Sequence, residues 1–246
     1  MELVPVIDLM GGVVVHARGG RRTEYRPIVT PLSASSEPRQ VVAGLLRLAP
    51  FRRLYVADLD AISGGAPHDA IVEGLAAAHP AVEFWIDRGI ADAASARAWL
   101  ARAPGTLVVG SESLAAAATL ACLADERRIV LSLDFRADTF LGPEAVLQDA
   151  AVWPGRVIVM TLARVGRGAG PDLNRVRDIV ARAGTRAVYA AGGVRDAADV
   201  RALAALGAAG VLVASALHAG GITSAEIAGF ERPGALPQDP PKRPNR

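Results

Sequence analysis

Polar residues close several short apolar runs of the sequence, at the points where strands of a parallel sheet would end. They are Asp8, Asp58, Asp60, Asp87, Asp134 and Thr161. A single Asp in such a place is equally well explained as a cap for the next helix or loop. Asp8 and Asp134 differ because they occupy equivalent positions of an internal repeat, described below. Two such carboxyl groups, one protonated and one ionised, can donate a proton to a ring oxygen and abstract one from the adjacent carbon.

A second candidate site is a glycine pair followed, one strand later, by a step of two small residues. The glycines are Gly192 and Gly193, and the small residues are Ala214 and Ser215. Glycine lets the backbone approach an anion closely, and exposed N–H groups stabilise its charge. A tight turn would explain the glycines alone, but the two features together favour a phosphate site.

Several kinds of chemistry lack the residues they need. The histidines show no metal-ligand spacing, so no metal is expected. They are His16, His68, His79 and His218. The only lysine, Lys242, lies in a Pro-rich tail, which argues against Schiff-base chemistry. The only cysteine, Cys122, is predicted to be a buried structural thiol.

The elements that must position these residues are eight short apolar runs, each followed by a helix-like segment. The runs read LVPVID, RLYVAD, VEFWID, TLVVGS, RIVLSLD, RVIVMT, RAVYAAGG and GVLVAS. Apolar strands that alternate with amphipathic helices predict a parallel sheet covered on its outside. Eight units in 246 residues favour a single (β/α)8 TIM barrel of the α/β class over an open sheet. We expect the barrel over residues 1–230 and a disordered tail over residues 231–246.

The internal repeat predicts that the barrel is built from two half-barrels. The offset that aligns Gly89 with Gly193 aligns further residues at the turns. These pairs are Asp92 and Asp196, Ala93 and Ala197, Arg97 and Arg201, and Ser111 and Ser215. Strands three and four therefore recur as strands seven and eight. A second alignment pairs Asp8 with Asp134, at equivalent strand ends on opposite sides of the barrel.

Bulk properties limit the partners. The net charge of +2 comes from scattered arginines, and aromatic residues make up only 4%, which does not indicate a nucleic-acid surface. No apolar run approaches the ~18 residues of a membrane span, and we expect no signal peptide, since the first residues lack its pattern. We expect a cytoplasmic protein that binds a small phosphorylated metabolite, without nucleic acid or membrane. The sequence leaves the oligomeric state open.

The residues described above resemble the HisA/HisF family, the half-barrel-repeat TIM barrels of histidine biosynthesis. The resemblance runs from about Val4 to Gly229. It is carried by PVIDLMGGVVVHARGG, YVADLDA, LVVGSES, LSLDF, VYAAGGVRDAADV and VLVASAL. It implies an isomerase in which Asp8 is the general base, Asp134 the general acid and Thr161 an assisting residue. The implied reaction is an Amadori rearrangement of an aminosugar without a metal or cofactor.

The chain departs from the family pattern after the third strand. The family usually has Gly-Gly-Gly-Ile there, but this chain has Asp87-Arg88-Gly89-Ile90. The isomerase substrate carries a phosphate at each end, and this loop would bind one of them. A carboxylate would repel a phosphate and Arg88 would block close backbone approach, although its guanidinium could instead hold an anion. A second anion or substrate site is therefore possible at this end, with these candidates: Asp87, Arg88, Gly89, Gly110 and Ser111.

Three functions follow from these observations. The first is the histidine-type isomerase, and the second is an enzyme with the same acid–base pair acting on another phosphorylated metabolite. Divergent members of the second kind resemble proteins encoded among tetrahydromethanopterin and methanofuran one-carbon genes. The third is a barrel that binds a phosphorylated ligand without catalysis. Further candidates for substrate contact are His16, which stands where the family usually has Arg, Arg18 and Asp58.

Overall fold

The computed structural model of the protein describes residues 1–19 and 21–231, and it contains a closed barrel of eight parallel strands. The strands are β1 (Glu2–Met10), β2 (Arg53–Asp58), β3 (Glu83–Asp87), β4 (Thr106–Gly110), β5 (Ile129–Arg136), β6 (Arg156–Thr161), β7 (Ala187–Ala191) and β8 (Gly210–Val213). Each strand pairs with its neighbour in sequence, and β8 pairs with β1 to close the barrel. The predicted fold class is confirmed.

Helices separate the strands and cover the barrel. They are α1 (Pro38–Leu48), α2 (Leu59–Ile62), α3 (Asp69–Ala78), α4 (Ala93–Leu100), α5 (Ala118–Cys122), α6 (Glu144–Gln148), α7 (Leu173–Ala183), α8 (Ala197–Ala205), α9 (Ser215–His218) and α10 (Ser224–Glu231). Three short strands, Val13–His16, Arg26–Pro27 and Thr139–Leu141, extend β1 and β5 as antiparallel hairpins. Of the predicted tail, all but Glu231 lies outside the described residues.

Side chains alternate between the two faces of each strand, as the period of a β-strand requires. One set fills the barrel interior, including Tyr55 on β2, Trp85 on β3 and Ile158 on β6. The other set packs outward against the helices, in the larger apolar core of the protein. The residue that ends each strand therefore faces the cavity if it lies an even number of positions from an inward-facing residue of that strand, and the helices if that number is odd.

The amino end of the barrel is closed by paired charges. Glu83 accepts hydrogen bonds from Arg53 and from Arg156, at 2.6 and 2.7 Å. Burial would raise the pKa of Glu83, but hydrogen bonds from Thr106 and from these two arginines lower it to about 2. Both guanidinium groups also lie over the Trp85 ring. Paired charges at this end indicate a structural role, whereas functional residues of this fold lie at the opposite end.

The two half-barrels share a glycine conformation and a helix cap at equivalent turns. Gly89 after β3 and Gly193 after β7 both have positive φ, at 71° and 88°. Asp92 caps α4 by accepting a hydrogen bond from the Ser95 N–H, and Asp196 caps α8 in the same way. The aligned residues thus have equivalent positions and roles, in agreement with the repeat seen in the sequence.

Cys122 is exposed, so the prediction of a buried thiol is wrong. Helix α5 is a short segment whose buried residues are Thr119 and Leu120, and Cys122 ends it on the solvent side. Within the described residues, none of the helices combines the length and the apolar character needed to cross a membrane.

Candidate active site

A cavity of about 580 Å³ opens at the carboxyl ends of the barrel strands. Asp8 on β1 and Asp134 on β5 both line it. Since β1 and β5 are four strands apart in either direction around the barrel, the two carboxyl groups face the cavity from opposite sides. The structure thus brings together the pair that the sequence singled out.

Asp134 is buried, and both its carboxyl group and its backbone N–H form hydrogen bonds. Its carboxyl oxygens accept hydrogen bonds from Ser132 Oγ at 2.6 Å and from the Glu112 N–H at 3.1 Å. Its backbone N–H donates to Ser111 Oγ at 2.9 Å. Burial and the negative charge of Asp87 raise the pKa of Asp134 to about 8, against the effect of these hydrogen bonds. The group is therefore mostly protonated at pH 7 and can act as an acid.

The two other carboxyl groups at the base of the cavity have lower pKa values than Asp134. Burial raises the pKa of Asp8 to about 7, and the charge of Arg22 opposes that rise. Burial also raises the pKa of Asp87 to about 6, against the hydrogen bond that Tyr55 donates to it at 2.8 Å. At neutral pH the site therefore contains a protonated Asp134, a half-ionised Asp8 and an ionised Asp87.

The glycine turn after β7 leaves no room for side chains. A Cβ atom at Gly192 would lie 2.5 Å from the Thr161 carbonyl oxygen, and one at Gly193 would lie 2.3 Å from the Gly170 carbonyl oxygen. Both glycines line the cavity beside Ala214 and Ser215. His16 lies there too, with Nε2 3.2 Å from Ser215 Oγ. These small residues and polar groups form a concave surface suited to an anion.

The residues predicted to form a second anion site do not lie together in the structure. Asp87 lines the cavity, whereas Arg88 turns outward and donates a hydrogen bond to Asp69 on α3. Gly89 packs against α2, where a Cβ would lie 2.7 Å from the Ile62 Cα. Gly110 and Ser111 do not line the cavity either. The guanidinium of Arg88 therefore does not reach an anion in the cavity.

Three further candidates lie away from the cavity. Thr161 is buried at the end of β6, but Met160 and Leu162 are the neighbouring residues that line the cavity. Thr161 continues the alternation of the outward-facing residues of β6, and its assisting role stays a prediction. Arg18 is exposed, and Asp58 accepts hydrogen bonds from the N–H groups of Ala61 and His68. Asp58 therefore anchors a loop.

Sequence reasoning missed several polar residues that line the cavity, among them Tyr55, Arg22, Glu112 and Arg136. Tyr55 was hidden inside an apolar run, although its even spacing from Ala57 marks it as inward-facing. Arg22 donates a hydrogen bond to Ser63 Oγ at 2.8 Å and lies 3.5 Å from Glu112. No local pattern identifies this pair, because its members come from loops after β1 and β4. Among the described residues, no group of three or more His, Cys, Asp or Glu side chains could hold a metal ion.

Comparison with known proteins gives matches over almost the whole chain. Residues 2–223 match a family model described as histidine biosynthesis protein. A protein of Alkalilimnicola ehrlichii, named 1-(5-phosphoribosyl)-5-((5-phosphoribosylamino)methylideneamino) imidazole-4-carboxamide isomerase, is 30% identical over 247 residues, which cover 94% of this chain and 96% of that protein. The isomerase of the same name from Sorangium cellulosum is 31% identical over 245 residues, covering 92% and 97%. An uncharacterized protein of Methanocaldococcus jannaschii is 27% identical over 235 residues, covering 92% and 97%.

Proposed function

Since the chain belongs to the histidine biosynthesis protein family, as its sequence motifs predict, we propose that it catalyses an Amadori-type aldose–ketose rearrangement of a phosphorylated aminosugar. The observation that carries this proposal is the pair of carboxyl groups, Asp8 and Asp134, on opposite sides of one cavity. One of the pair is protonated at neutral pH and the other is half-ionised. This is the arrangement that transfer of a proton to one atom and from its neighbour requires.

The first step is the opening of the sugar ring. Asp134 donates its proton to the ring oxygen, the bond between that oxygen and C1 breaks, and the substrate's own nitrogen supplies the electron pair that forms an imine. The raised pKa of Asp134, about 8, keeps the proton available at neutral pH. The low accessibility of this carboxyl group, 4%, supports the role because water competes poorly for the proton.

The second step is proton abstraction from C2. Asp8 in its ionised form takes this proton, the electron pair moves towards the imine, and the enaminol that results becomes the aminoketose. The enaminol takes up a proton at C1 and loses the proton of its C2 hydroxyl group, so no atoms are gained or lost overall. A pKa of about 7 suits a base that must accept and release a proton at neutral pH.

A phosphate group of the substrate would occupy the surface formed by Gly192, Gly193, Ala214 and Ser215. The two glycines allow an anion to approach their N–H groups closely. The hydroxyl of Ser215 and the imidazole of His16 supply two further polar contacts. Relatives are named for a compound with two phosphoribosyl groups, which supports at least one phosphate site in this family.

The test follows exchange of the C2 hydrogen with solvent. The glycosylamine formed from ribose 5-phosphate and ethanolamine is incubated with the enzyme in ²H₂O, beside the imidazole carboxamide compound for which the relatives are named. We expect loss of the C2 hydrogen and deuterium at C1 of an aminoketose product with one of the two compounds, detected by NMR. Asp8→Asn and Asp134→Asn should each lower the rate by about 10²–10⁴-fold, as expected for loss of a general acid or base.

The matched control is Asp92→Asn, which makes the same change at an exposed helix cap and should leave the rate unchanged. Absence of exchange with both compounds, or exchange that survives both active-site substitutions, would contradict the proposed reaction.

A second candidate function is the same reaction on a substrate that lacks one of the two phosphates. It is favoured by one observation, the carboxylate of Asp87 in the cavity, where a glycine would be expected in this family. A carboxylate in this place is electrostatically unfavourable for a phosphate.

A further inference from the structure

Resting on the proposed reaction, we propose that the substrate is a phosphomonoester whose other end carries a protonated amine, and that Asp87 binds this amine. The two ends of the cavity then bind ligand groups of opposite charge. The end at β7 and β8 accepts an anion, and the end at β3 and β4 accepts a cation. Asp87 is thereby a specificity-determining residue rather than a member of the acid–base pair.

The position of Asp87 is fixed by its contacts. Tyr55, which lines the cavity from the neighbouring strand β2, donates its hydroxyl hydrogen to Asp87 Oδ2 at 2.8 Å. The Gly89 N–H lies 3.3 Å from the other oxygen, Oδ1. Tyr55 is only 2% exposed, so it holds the carboxylate firmly without neutralising it. A fixed carboxylate loses little conformational entropy when it binds an ammonium group.

Asp87 has no ion-pair partner within the described part of the chain. The charge of Arg22 favours its ionised form, but the two groups form no ion pair, and the adjacent Arg88 is bound to Asp69 outside the cavity. This contrasts with the amino end of the barrel, where Glu83 has two arginine partners. An ionised carboxylate that faces a cavity without a counter-ion attracts a cationic ligand group.

The charged groups around Asp87 support a cation at this end. Asp134 approaches from β5, and both carboxyl groups lie beside Gly110, whose Cβ position is 3.2 Å from one and 3.6 Å from the other. Because Gly110 has no side chain, it does not separate the two groups. Arg22 reaches the same side of the cavity and its charge favours the ionised form of Asp87, but it lies 3.5 Å from Glu112, which offsets that charge. Arg136 at the end of β5 also lines the cavity, and among the described residues no ion pair joins it to Asp87. Since Asp134 is protonated at neutral pH, the negative charge available at this end is that of Asp87.

The test compares three ligands that share a six-carbon chain with a phosphate at one end and differ only in the group at the other end. They are 6-aminohexyl phosphate, 6-hydroxyhexyl phosphate and 1,6-hexanediol bisphosphate, and their flexible chains can adapt to the cavity. Isothermal titration calorimetry at pH 7.5 measures their dissociation constants. We expect the amino compound to bind at least tenfold more tightly than the hydroxyl compound, and the bisphosphate to bind no more tightly than the hydroxyl compound.

Asp87→Asn should reduce the tenfold preference to less than threefold, since Asn removes the charge but can still accept the hydrogen bond from Tyr55. Asp92→Asn is the matched control, because it makes the same change at an exposed helix cap outside the cavity and should leave the preference intact. Equal binding of the three compounds, tighter binding of the bisphosphate, or no binding of any of them to folded wild-type protein would overturn the proposal. Failure of the proposed reaction is separate, because it would appear as absence of C2 exchange while the binding preference persists.

Discussion

The substitution Asp134→Asn should make the stability of the protein less dependent on pH. Asp134 is buried, and its pKa rises from 3.8 to about 8 in the folded protein. Between these values the folded state holds a proton that the unfolded state has released. The stabilising contribution of the neutral carboxyl is thus complete below pH 4 and is lost as the pH rises to about 8. Asn cannot ionise, so the variant lacks this loss.

The size of the effect follows from proton linkage. One proton held only by the folded state changes the free energy of unfolding by ~1.4 kcal/mol per pH unit. Between pH 6 and pH 8 the wild type should therefore lose ~2 kcal/mol more than Asp134→Asn. Asp8 and Asp87 also ionise in this range, but they are present in both proteins, so most of their contribution cancels in the difference.

Urea unfolding followed by circular dichroism at pH 6, 7 and 8 measures this difference. The control is Asp92→Asn, because hydrogen bonds from Ser95 lower the pKa of Asp92 and this carboxylate is charged throughout the range in both states. The control should follow the wild-type curve in parallel. If Asp134→Asn also ran parallel to the wild type, Asp134 would be ionised in the folded protein and could not serve as the acid.

Three more outcomes are expected. The kcat/KM of the isomerisation should fall below pH ~7, where Asp8 becomes protonated, and above pH ~8, where Asp134 ionises. A kcat/KM that does not change between pH 6 and pH 9 would contradict these roles. Gly193→Ala should weaken binding of inorganic phosphate, measured by calorimetry, and lower the free energy of unfolding by about 1–3 kcal/mol, measured in urea. The reason is that φ of Gly193 is positive and the new Cβ would lie 2.3 Å from a carbonyl oxygen. The control, Gly155→Ala, places its Cβ in open space and should change neither quantity. Cys122 should react with a thiol reagent in the native protein as fast as in urea, because it is exposed; slow labelling would indicate burial.

Much of the fold could be predicted because barrel strands carry a strong local signal. A strand covered on both faces must be apolar along its length, and each of the eight apolar runs is a strand in the structure. The repeat added long-range information, since it related Asp8 to Asp134 before any contact was known. The error at Cys122 arose where the signal was weak, in a short Ala-rich helix with little difference between its faces.

The candidate site was less predictable, because it depends on which face of a strand each side chain occupies and on contacts between loops that are distant in sequence. Thr161 ends an apolar strand, yet its neighbours Met160 and Leu162 are the residues that line the cavity, because side chains alternate between the two faces of a strand. Arg88 was a plausible anion ligand in sequence, but its partner Asp69 comes from the preceding helix. The hydrogen bond between Tyr55 and Asp87 likewise joins neighbouring strands, and no short motif announces it.

The difference between the two half-barrels is both conformational and chemical. Gly89 keeps the positive φ of Gly193 and, like it, lies close to a neighbouring backbone. The two positions before it have changed: Asp87 stands at the position of Ala191, and Arg88 at that of Gly192, whose φ of 99° is positive whereas that of Arg88 is not. Arg88 leaves the cavity for Asp69, so Asp87 is the residue of this pair that lines the cavity. On the proposed assignment, a turn that accepts an anion in one half-barrel corresponds to one that attracts a cation in the other, and the loss of the Gly192 conformation accompanies that change.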